Sequence, residues 1–279
     1  MNEAVFFGLF GLIVGSFLNV FILRWGTRSL AGRSECTSCG GTIAWYDLVP
    51  VLSWIILRGR CRTCGSPISV QYILVETLTA VVFVCIGSAP LPTLLRVLAL
   101  PIASLFIAIA VYDFRHTIIP DAWVYAGGVF ALVYTYSSLS EVSVQTMVWV
   151  LVSGPLIAAP LFAFWFFSKG TWMGFGDVKF AHTMGWLLGP ISGLQALLFS
   201  FILGAVISVP LLFFSSPTWE RIRGRFTPTQ TSRKSRVRFT MKSEVPFGPF
   251  LVAATLIIWI LNMYDVTFID MLAWEALLL

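Results

Sequence analysis

The chain has 279 residues, of which 58% are apolar and only 11% charged, with a formal net charge of +5. That balance excludes an ordinary soluble domain, because several apolar runs reach the ~20 residues a helix needs to cross a bilayer. The positive charge does not point to nucleic acid either: the basic residues fall between the apolar runs, where they act as topology determinants, and no nucleic-acid role is assigned.

In chain order the pattern predicts an all-α polytopic membrane protein of about eight transmembrane helices, over 4–23, 73–89, 97–112, 122–137, 147–167, 178–189, 191–214 and 245–262. The first run carries Glu3 where a signal peptide has a basic n-region, and no small-residue cleavage site follows, so it reads as a retained helix. The sixth run is too short to cross alone at ~1.5 Å per residue, which leaves it tilted, re-entrant or part of a bent unit with the seventh. With the N-terminus outside, all but Arg96 of the 18 lysines and arginines fall on the inner side. This asymmetry sets the orientation. No internal repeat at a fixed period stands out.

Three regions follow: a first transmembrane helix over 1–23, a polar cysteine-containing insert over 24–72, and a transmembrane remainder over 73–279 that includes a basic loop at 215–244. The loop has little apolar content and reads as a solvated linker, or as a segment resting on anionic headgroups at ~1 kcal/mol per basic residue.

Within the insert, Cys36-Thr-Ser-Cys39 and Cys61-Arg-Thr-Cys64 have the spacing of a small zinc ribbon, in which two turns complete one tetrahedral thiolate shell. Gly40 and Gly65 follow the second cysteine of each pair and suit the tight turn. The alternatives are two disulfides, four reduced structural thiols, or a redox site. An inner, reducing location disfavours disulfides. Cys85, inside the second run, reads as a buried thiol. Between the pairs, residues 45–57 form an apolar run too short to span; it either packs over the metal turns or dips into the membrane interface, where tryptophan is favoured. Asp47 within it has a surface, capping or functional reading.

The third run ends in Tyr112-Asp113-Phe114-Arg115-His116, and Gly174-Phe175-Gly176-Asp177-Val178-Lys179 opens the sixth. An acid at a membrane helix end is costly and therefore a functional candidate. Asp113 and Asp177 both lie at inner helix ends and can meet at one depth. Two touching carboxylates share a proton and titrate as a pair, which lets one act as general base toward water and the other as general acid toward a leaving amine. Gly174 and Gly176 strip side chains from the neighbourhood of Asp177, so that an extended substrate backbone can approach. The structural alternatives are that Asp113 neutralises Arg115 and that Asp177 caps a helix beginning at Val178. For Asp121, after Pro120, the N-cap reading is preferred; His116 reads as a surface residue.

Taken together these residues resemble the type IV prepilin leader peptidase family, bacterial enzymes of pilus assembly, type II secretion and competence. The resemblance rests on Gly15-Ser16-Phe17-Leu18-Asn19-Val20, the paired cysteines, Pro50-Val51-Leu52-Ser53-Trp54, Gly59-Arg60-Cys61-Arg62, Asp113 with Ile119-Pro120-Asp121, Gly174 to Lys179, and Pro246-Phe247-Gly248-Pro249-Phe250. It departs at Ile73 and Thr37, where the family often has proline, and in the length of the 215–244 loop. The likeness implies cleavage of a basic leader after glycine, at the cytoplasmic face of the bacterial inner membrane, with prepilins or pseudopilins as substrates. Asp113 and Asp177 would be the catalytic pair. Cys36, Cys39, Cys61 and Cys64 would hold zinc in a domain linked to methylation of the new N-terminus by S-adenosylmethionine. Glu76, an acid in the second run, is a candidate for meeting the leader's charge or the methylation site, against a snorkelling or helix-pairing role. A proton-coupled transporter, a presenilin-like peptidase and a non-catalytic zinc anchor are the competing classes. The first does not account for the cysteines, and the second lacks a Pro-Ala-Leu motif here.

Overall fold

The computed structural model describes residues 3–27, 29–139, 142–214 and 246–266. Among the described residues there are eight α-helices and no strand: α1 (Glu3–Arg24), α2 (Leu52–Ile56), α3 (Gln71–Ser88), α4 (Thr93–His116), α5 (Asp121–Ser138), α6 (Val144–Ser168), α7 (Phe175–Phe214) and α8 (Gly248–Met263). Helices satisfy their own backbone polar groups, which is what an apolar chain in hydrocarbon requires. Among the described residues, α1, α3, α4 and α6 are long and apolar enough to cross a membrane, and the Phe175–Pro210 part of α7 has that length and apolarity taken as a whole. Their outward faces remain apolar, with Leu9, Ile13, Leu78, Val81, Leu156 and Leu198 exposed. The protein is a multi-pass, all-α membrane protein.

The eight expected runs correspond to α1, α3, α4, α5, α6, the two arms of α7, and α8. The sixth and seventh are one bent unit. Gly189 interrupts α7 with φ 75° and ψ −177°, and a Cβ on Gly193 would stand 3.7 Å from the Cα of Gly185. Residues eight apart in a straight helix are ~12 Å apart, so the chain reverses at Gly189-Pro190 and α7 is a helical hairpin. Its first arm packs on α6, where Gly185 lies against the Ser153 carbonyl. The second arm returns toward the start of α8, with Gly204 beside Phe250. The core is filled by Phe106 of α4, Phe180 and Met184 of α7, and Leu251 and Trp259 of α8, all buried.

α1 and α3 pack almost backbone to backbone. A Cβ on Gly11 would sit 2.7 Å from the Cα of Ala80, and one on Gly15 would sit 2.7 Å from the Cα of Glu76. Gly11 and Gly15 form the small-x-x-x-small face that lets membrane helices approach closely. This pairing closes the insert at its base. The basic loop at 215–244 lies outside the described residues.

The insert contains a repeat that the sequence reading did not anticipate. Glu35 pairs with Thr42 and Arg60 with Pro67 as isolated bridges. In each unit the first cysteine's N–H bonds a carbonyl five residues on, from Cys36 to Gly41 and from Cys61 to Ser66, both at 2.9 Å. Gly40 and Gly65 close the turns at φ 69° and 71°. Ile43 to Ser34 and Ile68 to Gly59 complete the equivalence. The shared pattern is Cys-x-x-Cys-Gly-x-x-Ile at an offset of 25 residues, from Cys36 to Cys61.

Candidate active site and cysteine cluster

Asp113 lies in the last turn of α4, which runs four residues beyond the expected end of that span. The helix stops at Thr117, whose φ is 53° and whose N–H donates to the Asp113 carbonyl at 2.7 Å. Asp177 lies in the first turn of α7, since that helix begins at Phe175 rather than Val178. The simple N-cap reading of Asp177 therefore fails. Its carboxylate instead reaches back to the Gly174 N–H, as a residue at the third helical position does in a capping box.

Both carboxylates are buried, with Asp113 5% and Asp177 7% exposed. They are within electrostatic reach of each other. Asp113 does not neutralise Arg115, whose Nη1 donates to Gln71 Oε1 at 2.7 Å. Instead, the Asp113 carboxylate accepts the N–H of Gly248 at the start of α8, where the free N–H groups of a helix favour an anion. A Cβ on Gly248 would stand 2.5 Å from Asp113 Oδ2 and 3.1 Å from Ile119 Cδ1. One on Gly176 would stand 2.9 Å from Ile119 Cβ. Ile119 thus fills the space between the two glycines, and the gap beside Gly176 is closed to anything else. Gly174 is different: nothing comes nearer than 3.9 Å to a Cβ placed there, and that neighbour is Asp177 Oδ2.

Asp121 is not an N-cap. Pro120 occupies that position, and Asp121 is the first residue of α5, where a negative charge suits the helix dipole. Both its oxygens accept from Lys179 Nζ at 2.7 Å. Lys179 also lies 5.1 Å from the Phe175 ring centroid, and Phe175 packs on Trp165 at 4.8 Å. The segment 119–121 therefore touches the Gly174–Lys179 segment at both ends. His116 is exposed, with Nδ1 3.1 Å from the Tyr112 carbonyl, as a surface residue.

Glu76 is buried at 5% exposure and does not snorkel. Its Oε2 accepts the N–H of Val51 at 2.7 Å, and Ser16 of α1 also bonds it. Val51 has φ 62° and ψ −52°, a conformation strained for a β-branched residue. Asn19 extends the network: its Nδ2 donates to the Tyr72 carbonyl at 3.2 Å and its Oδ1 accepts from Gln71 Nε2 at 3.4 Å. Through Gln71 and Arg115 this network connects the base of the insert to the end of α4. Gly248, Ile119 and Gln71 were not expected as site neighbours. The first two lie in motifs singled out in the sequence; for Gln71 no local signal exists.

The four sulfurs of Cys36, Cys39, Cys61 and Cys64 lie within 4.8 Å of one another. Cys36 and Cys64 Sγ are 3.8 Å apart. A tetrahedron of ~2.3 Å metal–sulfur bonds has edges of about 3.8 Å, whereas a disulfide needs ~2.05 Å, so the arrangement fits an ion and not two disulfides. N–H groups of Cys39 and Ser38 aim at the Cys36 sulfur and lower its thiol to about 6. The Ser66 hydroxyl lowers Cys64 as well. Cys39, although the Gly41 N–H favours its thiolate, is pushed up to about 11 by hydrogen bonding with the Cys36 and Cys64 sulfurs. Arg62, between the second pair, holds Asp47 through a bidentate contact of 2.6 to 3.1 Å and lies over the Tyr46 ring. These hydrogen bonds keep the Asp47 carboxyl below the usual range. Cys85 stands apart from the cluster.

Both parts of the chain match known families. Residues 9–89 match the model described as bacterial peptidase A24 N-terminal domain, and residues 100–209 match that of the type IV leader peptidase family. A prepilin leader peptidase/N-methyltransferase of Myxococcus xanthus is 34% identical over 211 residues, covering 75% of this chain and 63% of that protein. Proteins of the same name from Aeromonas hydrophila and Klebsiella pneumoniae are 29% and 33% identical, covering 88% and 66% of this chain and 86% and 84% of theirs. No solved structure matches significantly.

Proposed function

Because the chain belongs to the type IV leader peptidase family, we propose that it cleaves the basic leader from prepilins or pseudopilins and methylates the new N-terminus. The observation that carries the reading is the burial of Asp113 and Asp177 within reach of each other, each carboxylate oriented by a backbone N–H at a helix start. One ionised carboxylate takes a proton from a water molecule as that water's oxygen bonds the scissile carbonyl carbon. The other, protonated, gives its proton to the amine as the C–N bond breaks. The open side of Gly174 provides room for an extended peptide beside Asp177.

The substrate's chemistry agrees with the depth of the pair. A basic leader stays on the cytoplasmic side while the apolar helix behind it enters the bilayer, so the scissile bond comes to the helix ends. On this reading the insert and both aspartates lie on the cytoplasmic side of a bacterial inner membrane. The soft thiolate set of Cys36, Cys39, Cys61 and Cys64 suits zinc, in a structural role. S-adenosylmethionine would supply the methyl group for the new amine. Glu76 anchors the insert's base through Val51.

Mass spectrometry of a co-expressed prepilin tests the whole scheme. Wild-type protein yields a mature chain without leader and one methyl heavier. Asp113→Asn and Asp177→Asn each leave the leader attached, and persistent cleavage by either variant overturns the mechanism. Cys36→Ser yields cleaved but unmethylated product.

A further inference from the structure

Between the two cysteine turns, the chain exposes an apolar face that neither the aspartates nor the thiolates use. Leu52, Ile55 and Ile56 of α2 are 54%, 55% and 64% exposed. Their spacing puts all three on one side of a single turn. Trp45, in the same 45–57 run, is 77% exposed. The opposite side of α2 is occupied: Trp54 packs on Gly59, and Ser53 Oγ donates to the Val49 carbonyl at 2.7 Å.

Three observations identify what covers this face. The first is depth. Val51, immediately before α2, gives its N–H to Glu76, which lies within the first two turns of α3, a helix long and apolar enough to cross a membrane. Amphipathic elements lying in a membrane interface seat their apolar faces ~5–10 Å into the headgroup and acyl boundary. Continuity is the second. Val51 shares a cleft with Leu12 of α1 and Thr77, Ala80, Val81, Val84 and Cys85 of α3, so the chain enters α2 against the lipid-exposed belt of those helices. The third is charge. Arg58 and Arg60 follow the apolar turn and are exposed, as residues do that meet anionic headgroups.

We infer that residues 45–57 are an interfacial anchor, with Leu52, Ile55 and Ile56 in the acyl region of the bilayer and Arg58 and Arg60 at the headgroups, seating the cysteine module on the membrane surface. The strained Val51 is the hinge at which the chain turns into the lipid, and Glu76 holds it there. This does not rest on the peptidase reading and would stand if that reading fell.

The test uses the full chain in lipid nanodiscs with p-benzoylphenylalanine placed at position 55, or at position 81 as the reference on α3. After irradiation, mass spectrometry locates the adducts. Acyl-chain adducts at both positions support the anchor. Acyl adducts at 81 with none at 55 overturn it. Cross-links from position 55 to a second copy of the chain or to another protein overturn it too, in favour of a protein-covered face. The readout is independent of cleavage and methylation, and an exposed position tolerates the substitution without unfolding.

Discussion

Gly248 meets Asp113 so closely that no side chain fits between them, and this makes the glycine more than a helix start. Gly248→Ala must push either the carboxylate or α8 aside. Cleavage should fall at least about tenfold, equivalent to ~1.4 kcal/mol of barrier, with kcat affected more than KM. A prepilin cleavage assay with varied substrate concentration checks it. The Asp121–Lys179 pair acts on a neighbouring part of the site. As a partly exposed ion pair it contributes at most ~1 kcal/mol to stability, yet it ties the start of α5 to the Phe175 turn that precedes Asp177. Asp121→Asn should therefore lower kcat with little change in melting temperature. Exchanging the two charges, as Asp121→Lys with Lys179→Asp, should recover part of the loss. Wild-type turnover in Asp121→Asn would remove the positioning role.

At the level of elements, hydropathy made the spans legible, because each helix must present a long apolar surface to lipid. Boundaries were less accurate where polar residues belong to a helix. Asp113 sits inside α4, not beyond it, and its carboxylate meets the start of α8. The Gly248 contact was illegible for a simpler reason: nothing local in sequence records which distant helix start an acid will meet. The repeat of Cys-x-x-Cys-Gly-x-x-Ile, by contrast, is present in the sequence, but two copies are too few to establish a period. Its two turns lead to a pH prediction. Protons compete with metal for all four sulfurs, and Cys39, pushed up to about 11, still holds its proton at neutral pH while Cys36, lowered to about 6, has released its own. Metal affinity should rise with pH through the neutral range. In Cys39→Ser the slope of log affinity against pH should be smaller by about one proton, as competition with a colorimetric chelator would measure.

For the whole molecule, the charge asymmetry and the helix order support the proposed topology, in which α1 runs inward, the insert lies inside, and the α5–α6 connection lies outside. Alkaline phosphatase fused after Leu139 should be active, and β-galactosidase fused after Gly170 should be active in its turn. The reverse pattern would place Asp113 and Asp177 on the wrong face for a basic leader. The site that this topology positions is assembled from four separate helix ends: those of α4, α5, α7 and α8. Ile119 stands among them, wedged between Gly176 and Gly248. It serves as a feeler gauge, since the width of one branched side chain sets the clearance between the glycine next to Asp177 and the glycine against Asp113. A valine there would leave slack and a phenylalanine would jam the jaws, so the spacing of two acids that no chain segment links directly is a dimension that one residue can dial.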